Sequence, residues 1–464
     1  MIGSLKLAMR AKLFSVAASI LLVSLGTLSA QSSGTDALTL TVEQAVARTK
    51  ANQPLIRQAL DAVEAARARV GEAQSAYYPM VSGTASYNRL SDQSFSIDSV
   101  LPPFLVSQVP AQYQGLLSAP FSLVPDNLWD FNLGLNQVIT QFGKRDVQVK
   151  LAQSGLASAR IGVDQVTTAV SYQAVQVFYT ALFLQEQGKA LDEQYANLQE
   201  HLHVIQVRED TGSATRLEDL GTRVRMAALQ SQRSEIENQV QKQKIALRQL
   251  TGLAPSAPIT LSGSFDPGST AADDASVVES ALQKRPDVRQ AVESESAADL
   301  SLRLAALAPW PTVTAHASMG FKNGALPDIN VPVFNWVAGV QVSVPIFQGF
   351  LQARLQDESR KKLESARENT SAVRLNATTQ VLQAAQDVKA ARQQVDISVG
   401  ALDQARQMVE VAKIQYDIGI ISNLEYLDAQ TALETANVSN LSAIYKEVLS
   451  EYALRQAAGE APLD

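Results

Sequence analysis

Two stretches of the chain, Gly143 to Glu209 and Gly349 to Tyr416, contain no proline. Each runs for about 67 residues, and a helix of that length extends for about 100 Å. Such a helix cannot fold back into a compact domain and must lie along other helices. The second stretch also carries a seam: Val381, Ala384, Val388, Ala391, Val395, Ser398, Leu402, Ala405, Val409, Ala412 and Tyr416 recur in alternating steps of three and four. A period of 3.5 implies left-handed coiled-coil packing, and the alanines permit close approach. Segments 54–77 and 215–250 also read as helices. Their combined length is close to that of one long stretch, so the simplest packing stacks them end to end beside it.

The chain repeats itself. Asn52-Gln53-Pro54-Leu55-Ile56-Arg57-Gln58-Ala59 matches Lys284-Arg285-Pro286-Asp287-Val288-Arg289-Gln290-Ala291 in Pro, Arg, Gln and Ala at an offset of 232, which Pro79 and Pro311 share. Farther on, Gly212-x4-Leu217-Glu218-x-Leu220 matches Gly419-x4-Leu424-Glu425-x-Leu427 at 207, as Leu247 and Gly252 match Leu454 and Gly459. The offset falls because the first half carries about 25 extra residues between Leu90 and Leu128. Pro102, Pro103, Pro110, Pro120 and Pro125 mark that insertion as a long irregular loop. The expected division is a leader at 1–30, a first repeat at 31–254 (helix, two strands, long helix, helix), a linker at 255–271, a second repeat at 272–460 and a tail at 461–464.

Period-2 alternation places four strands, at 80–90, 128–136, 312–321 and 335–344. In the second, Trp129, Phe131, Leu133 and Leu135 alternate with Asp130, Asn132, Gly134 and Asn136. Strands of about 9–11 residues suit a tilted crossing of a bilayer. Trp129, Trp310 and Trp336 sit at or beside strand ends, as an interfacial aromatic girdle requires. A soluble sandwich with one wet face alternates identically.

The N-terminus weights that choice. Lys6, Arg10 and Lys12 precede an uncharged apolar run from Leu13 to Leu28, and Thr27-Leu28-Ser29-Ala30 supplies small residues for cleavage. This reads as a secretory signal, with a membrane anchor as the alternative. Its removal takes three positive charges from a formal net charge of −7. No later stretch is apolar enough for a transmembrane helix, so re-entry into a membrane would have to use β-strands. Four strands cannot close a barrel, and an open sheet would leave unpaired edges in lipid, so membrane strands would require an oligomer. The absence of cysteine excludes disulfides, thiolate metal sites and a cysteine nucleophile, and the acidic balance disfavours nucleic acid. No phosphate loop or nucleophile constellation points to an enzyme. His201 and His203 diverge on a helix and are expected to be solvated rather than metal-binding; His316 is expected on the polar strand face.

The duplicated plan, Pro345-Ile346-Phe347-x-Gly349 leading from strand to long helix, and Tyr416-x2-Gly419-x4-Leu424-Glu425-x-Leu427-Asp428-Ala429-Gln430 resemble the TolC-like outer membrane efflux proteins over essentially the whole mature chain. The resemblance implies a mainly α protein with membrane β: long α-helical hairpins forming a trimeric α-barrel across the periplasm, plus four strands per chain in a 12-stranded β-barrel in the outer membrane. It implies a passive exit duct of a tripartite efflux or type I secretion system, opened at its periplasmic tip by an adaptor and an inner-membrane transporter, with no cofactor. A periplasmic adaptor and a soluble coiled-coil scaffold remain as alternatives.

The resemblance assigns residues too. The turns at Gly212, Ser213, Ala214 and Leu217, and at Gly419, Ile420, Ser422 and Leu424, would meet the adaptor. Glu425 and Asp428, three apart on one helical face, align with an acidic ring at the periplasmic constriction. Like charges crowded there would raise some pKa values and attract cations. Glu218 and Tyr416 occupy the positions of a hydrogen-bonded link that holds the tip shut. A basic residue of that latch would fall at Ile421, and Gly221 stands in the first half where the second has Asp428.

Overall fold

The computed structural model describes residues 38–91, 94–121, 124–265, 274–325 and 328–463. The leader expected at 1–30 lies outside them. In chain order the elements are Leu38–Leu40 (β1), Val42–Asn52 (α1), Pro54–Ser75 (α2), Met80–Arg89 (β2), the short helices Ile97–Val100, Pro103–Val106 and Ala111–Leu117 (α3, α4 and α5), Asn127–Thr140 (β3), Lys144–Asp210 (α6), Arg216–Thr251 (α7) and Ile259–Leu261 (β4). Then follow Asp274–Lys284 (α8), Pro286–Ala306 (α9), Thr312–Lys322 (β5), Val333–Ser343 (β6), Leu351–Asp417 (α10) and Asn423–Ala457 (α11).

The two long helices have 67 residues each. α2 and α7 lie along α6, and α9 and α11 lie along α10, so each long helix is flanked by two shorter ones. The proline-free stretches therefore pack as their length demands. Pro54 and Pro286 occupy the first turns of α2 and α9, where a missing N–H costs nothing. Contacts of α6 with α9 and α11 join the two sets. Along α10 the seam faces inward: Val381, Ala384, Val388, Ser398, Leu402, Ala405, Ala412 and Tyr416 are buried. A second row on the same helix, Leu375, Leu382, Ile397, Met408, Val411 and Ile414, continued by Ile418 just past its end, is left exposed.

The four long strands form one antiparallel sheet in the order β2-β3-β5-β6, open at both edges. Its rungs separate the faces. Gly83, Leu133, Met319 and Trp336 share one rung, and Ala85, Phe131, Phe321 and Phe334 the next apolar one. The rung between them is Thr84, Asn132, Gly320 and Asn335, and His316 lies on this polar side between Asn136 and Gly339. The apolar side chains are solvent-exposed in the single chain, among them Phe131, Leu133, Met319, Phe321, Trp336 and Val340. No helix among the described residues is long and apolar enough to cross a membrane.

Three features differ from the sequence reading. The loop between β2 and β3 is not irregular throughout, because its prolines open short helices: Pro103 stands in the first turn of α4, and Pro110 caps α5. Residues 255–271, expected as linker, supply β4, which pairs in parallel with β1 from Leu38↔Ile259 to Leu40↔Leu261. The helices α1 and α8 before the two matched Pro motifs were also not anticipated. Together β1, α1, β4 and the middle of α6 build the largest core, in which Leu40, Val46, Val175, Phe178 and Leu247 are packed with Val448 and Tyr452 of α11. Phe178 is 0% exposed there, edge-on to Tyr179 at 5.6 Å.

Truncating Phe178 removes the centre of this collar, which cannot collapse around the gap. Phe178→Ala is expected to lower stability by about 3–5 kcal/mol, read as the shift in the denaturant midpoint of the detergent-solubilised protein. A loss under about 1 kcal/mol would show that the collar is not a stabilising core.

Candidate functional site

The end of the molecule farthest from the sheet is made by two helical turns. α6 ends at Asp210 and the chain reverses through Gly212 at φ +71°; α10 ends at Asp417 and reverses through Gly419 at φ +77°. The left-handed backbone lets the amides of Ser213 and Ala214 donate to Arg208 O (2.7 and 3.1 Å), and that of Ile420 to Gln415 O (2.8 Å), satisfying carbonyls the helices leave free. The next helix starts at once. Thr215 stands at the N-cap position of α7 without a side-chain cap bond, and Ser422 caps α11 through a full capping box with Glu425. Leu217 (78% exposed), Ile420 (67%) and Leu424 (61%) project from the turns into solvent.

Behind the turns the seam ends in polar and aromatic groups. Tyr416 stacks on Tyr426 at 5.4 Å, and His201 of α6 packs against both rings, at 5.2 and 4.7 Å. His201 is buried, and its Nε2 lies 2.7 Å from Asn423 Oδ1 in the first turn of α11. This corrects the expectation of a solvated His201; His203 is exposed. The signal for its burial was the spacing Leu191, Leu198, His201, Ile205 on α6, all four of them buried. Burial holds the His201 imidazole below its ordinary pKa and pushes both tyrosine hydroxyls up.

Two arginines of the first half tie these elements to the second. Arg208 reaches Asp417 at 3.3 Å and lies 4.9 Å from the Tyr416 ring centroid. Arg225 of α7 donates to Asp428 Oδ1 (2.7 Å), Leu427 O (2.8 Å) and Thr431 Oγ1 (2.7 Å) on α11. Beside them Asp219 is buried between Arg223 and Arg216, at 2.9 and 2.8 Å; the hydrogen bond from Arg223 holds its carboxyl below the usual range.

The candidate residues fall as follows. Gly212, Ser213, Ala214, Leu217, Gly419, Ile420, Ser422 and Leu424 all lie at the two turns. Glu425 and Asp428 occupy the first two turns of α11 with distinct partners. Glu425 accepts from Ser422 N (2.7 Å) and Oγ (2.8 Å), and these bonds hold its pKa down despite the charge of Asp428. The box is therefore fully formed above the ordinary carboxylate range and is lost as pH falls through the lowered value. Within one chain this is opposite to the rise expected of crowded carboxylates. Glu218 and Tyr416 make no direct hydrogen bond among the described residues. The Glu218 carboxylate takes the Thr215 hydroxyl at 3.1 Å, while Tyr416 is held in the aromatic cluster, with Glu218 only an electrostatic neighbour. Sequence reasoning missed Arg208, Arg225 and Asn423, whose partners lie more than 200 positions away.

At the sheet, Trp129 packs on Tyr87 (4.4 Å) near the turn end, on the same side as Trp336, whereas Trp310 packs on Phe142 (5.8 Å) at the helix end. The tryptophans thus mark two levels. No group of three metal-ligating side chains occurs among the described residues.

Comparison with known proteins bears on both ends. The profile of the family described as outer membrane efflux protein matches residues 45–253 and 277–460. A pyoverdine export outer membrane protein, OpmQ, of Pseudomonas putida is 25% identical over 335 residues, covering 71% of this chain and 70% of that protein. A solvent efflux pump outer membrane protein, SrpC, of Pseudomonas putida is 25% identical over 417 residues, 87% of this chain and 82% of that one. The crystal structure of the Campylobacter jejuni CmeC outer membrane channel superposes with a TM-score of 0.74 at 20% identity, over 90% of this chain and 85% of that one.

Arg225 is the group whose loss separates the two hairpins most directly. Its charge-assisted bonds, discounted for a half-exposed site, are together worth about 1–2 kcal/mol. Arg225→Ala is expected to raise amide hydrogen exchange over 423–431 by about 5- to 30-fold at constant pH. Unchanged exchange would show that the clamp holds nothing.

Proposed function

The chain belongs to the outer membrane efflux protein family, and from that premise we propose that it is the exit duct of a tripartite assembly, closed at its two helical turns. It is an outer-membrane efflux channel with a large periplasmic part. The observation that carries the duct reading is the union of an open sheet, apolar on one face, with 67-residue helices. Unpaired edges are prohibitive in hydrocarbon, so neighbouring copies must supply the missing pairing. Three copies give twelve strands and a barrel wide enough for a lumen. The exposed row on α10 from Leu375 to Ile414 then gains a partner in the neighbouring copy. Trp129, Trp336 and Trp310 would sit at the two lipid–water interfaces, and the polar sheet face would line the lumen.

At the far end, about 100 Å away, Leu217, Ile420 and Leu424 form the surface offered to a periplasmic adaptor, with Gly212, Ser213, Ala214, Gly419 and Ser422 shaping the turns. The adaptor would in turn connect to an inner-membrane transporter. Closure passes through Arg208 and Arg225 onto Asp417 and Asp428, in place of a direct Glu218–Tyr416 bond. Glu425 and Asp428 of three chains form the constriction. Because Asp428 shares its charge with Arg225, Glu425 carries most of the field there. The relatives are named for pyoverdine and solvents, and the cargo of this chain is set by the pump it joins. The adaptor and scaffold readings are set aside, because the family profile spans both repeats.

In planar bilayers single channels are expected to conduct poorly, to prefer cations, and to be blocked by multivalent cations added on the tip side. Glu425→Gln is expected to relieve most of that block, and adding Asp428→Asn to relieve the rest. Unchanged block in the double variant removes the constriction assignment. A protein that remains a monodisperse, lipid-free monomer and forms no pores overturns the duct itself.

A further inference from the structure

His201 is a histidine buried where three helices meet at the tip. It projects from α6, the long helix of the first half, into the junction where α10 ends and α11 begins. It touches Tyr416 and Tyr426 and bonds to Asn423, so one imidazole connects three helices. With Asn423 Oδ1 as acceptor, Nε2 carries the proton of the neutral ring. Protonation must then occur at Nδ1, which has no hydrogen-bond partner among the described residues.

The surroundings decide how the cation fares. On its own helix stands Arg208, one seam repeat along; α7 contributes Glu218, α10 contributes Tyr416 and Asp417, and α11 contributes Tyr426. Glu200 and Lys413 line the same cavity of about 230 Å³. Asp417 and Glu218 would favour a charged ring, but Asp417 is engaged by Arg208 and Glu218 by Thr215. Removal from water outweighs the Asn423 hydrogen bond and both carboxylates, which favour the charged ring, and the Arg208 charge adds to it.

We propose that His201 is a proton-operated latch of the tip: neutral, it binds α6 to the ends of α10 and α11, and protonated, it releases them. It rests on the reading of these turns as the closing end of a duct. The sign follows from linkage. The closed tip binds the proton less well than a ring hydrated by opening, so closure is complete above the ordinary histidine range and weakens as pH falls through the lowered pKa. Each unit by which closure lowers that pKa is worth a factor of ten in the opening equilibrium of one chain. Acid on the periplasmic side therefore assists the adaptor.

The test is the conductance of the purified trimer in planar bilayers as tip-side pH is lowered from about 7.5 to 5.5, the window of histidine. A severalfold rise is expected. His203→Gln should retain it. His201→Gln, which keeps an N–H donor but does not titrate, should abolish it; a rise preserved in His201→Gln overturns the proposal. Should that variant stand open at every pH, titration of the imidazole itself decides. The chain has 3 histidines, so ¹³C-labelled histidine in a His203→Gln, His316→Gln background reports His201 alone. A midpoint clearly below about 6.5 supports the latch; one at or above it overturns it. Pores that ignore pH overturn the latch alone, whereas absence of pores overturns the duct reading as well.

Discussion

The structure depends on a backbone requirement rather than on any side chain. β2 and β6 each present a row of N–H and C=O groups with no partner strand among the described residues. In water such edges are tolerable, but in hydrocarbon each unpaired group costs several kcal/mol. The exposed face of Phe131, Leu133, Met319 and Trp336 places the sheet in hydrocarbon, so the edges must be paired by other copies. That condition propagates downward. Helices that continue from staves arranged in a ring must also stand side by side. This explains why α10 carries two apolar rows, one closed onto α9 and α11 and one left bare.

Duplication supplies the parts, and divergence at the tip makes them unequal. Arg208 and Arg225 correspond to Gln415 and Ala432 in the second half, and Asp428 corresponds to Gly221 in the first. Positive charge has thus gathered on the first hairpin and an acceptor on the second. Two identical hairpins would offer no preferred contact between them, whereas these two attract. The contacts are half-exposed ion pairs and hydrogen bonds, worth about 0–1 kcal/mol per pair. That strength suits a junction which has to part and re-form.

Much of this was legible from periodicity. Proline-free length gave the two long helices, the steps from Val381 to Tyr416 gave the buried seam, and alternation gave four strands to within a few residues, β3 extending to Thr140. Such signals are local and repeated many times. The collar was not legible, because β1 and β4 are three residues each and pair across 221 positions. No periodicity exists in a segment that short. At the tip, the turn residues were readable because glycine with positive φ leaves a local mark. The clamps of Arg225 and Arg208 were not, since a charged residue on a helix reads as solvated until its distant partner is placed. His201 was misjudged for a different reason: comparing it with His203 asked about metal binding, while its spacing from Leu198 and Ile205 asked about packing.

The composition of the seam then explains where the bundle yields. Around the collar most buried positions of the helices are aliphatic or aromatic, among them Val46, Val175, Phe178 and Leu182, with polar exceptions such as Thr49, Ser171 and Thr251. Separating helices there would expose apolar surface at about 25 cal/mol per Å² with few polar groups to offset it. Toward the turns His201, Asn423, Tyr416 and Tyr426, groups that water can solvate, join Ile205, Ala412 and Leu427 among the buried positions. Opening the tip replaces one set of hydrogen bonds by another, and its net cost is the small difference between them. On the duct reading the helices would part at the turns before the collar, so that an open and a shut duct share one rigid body.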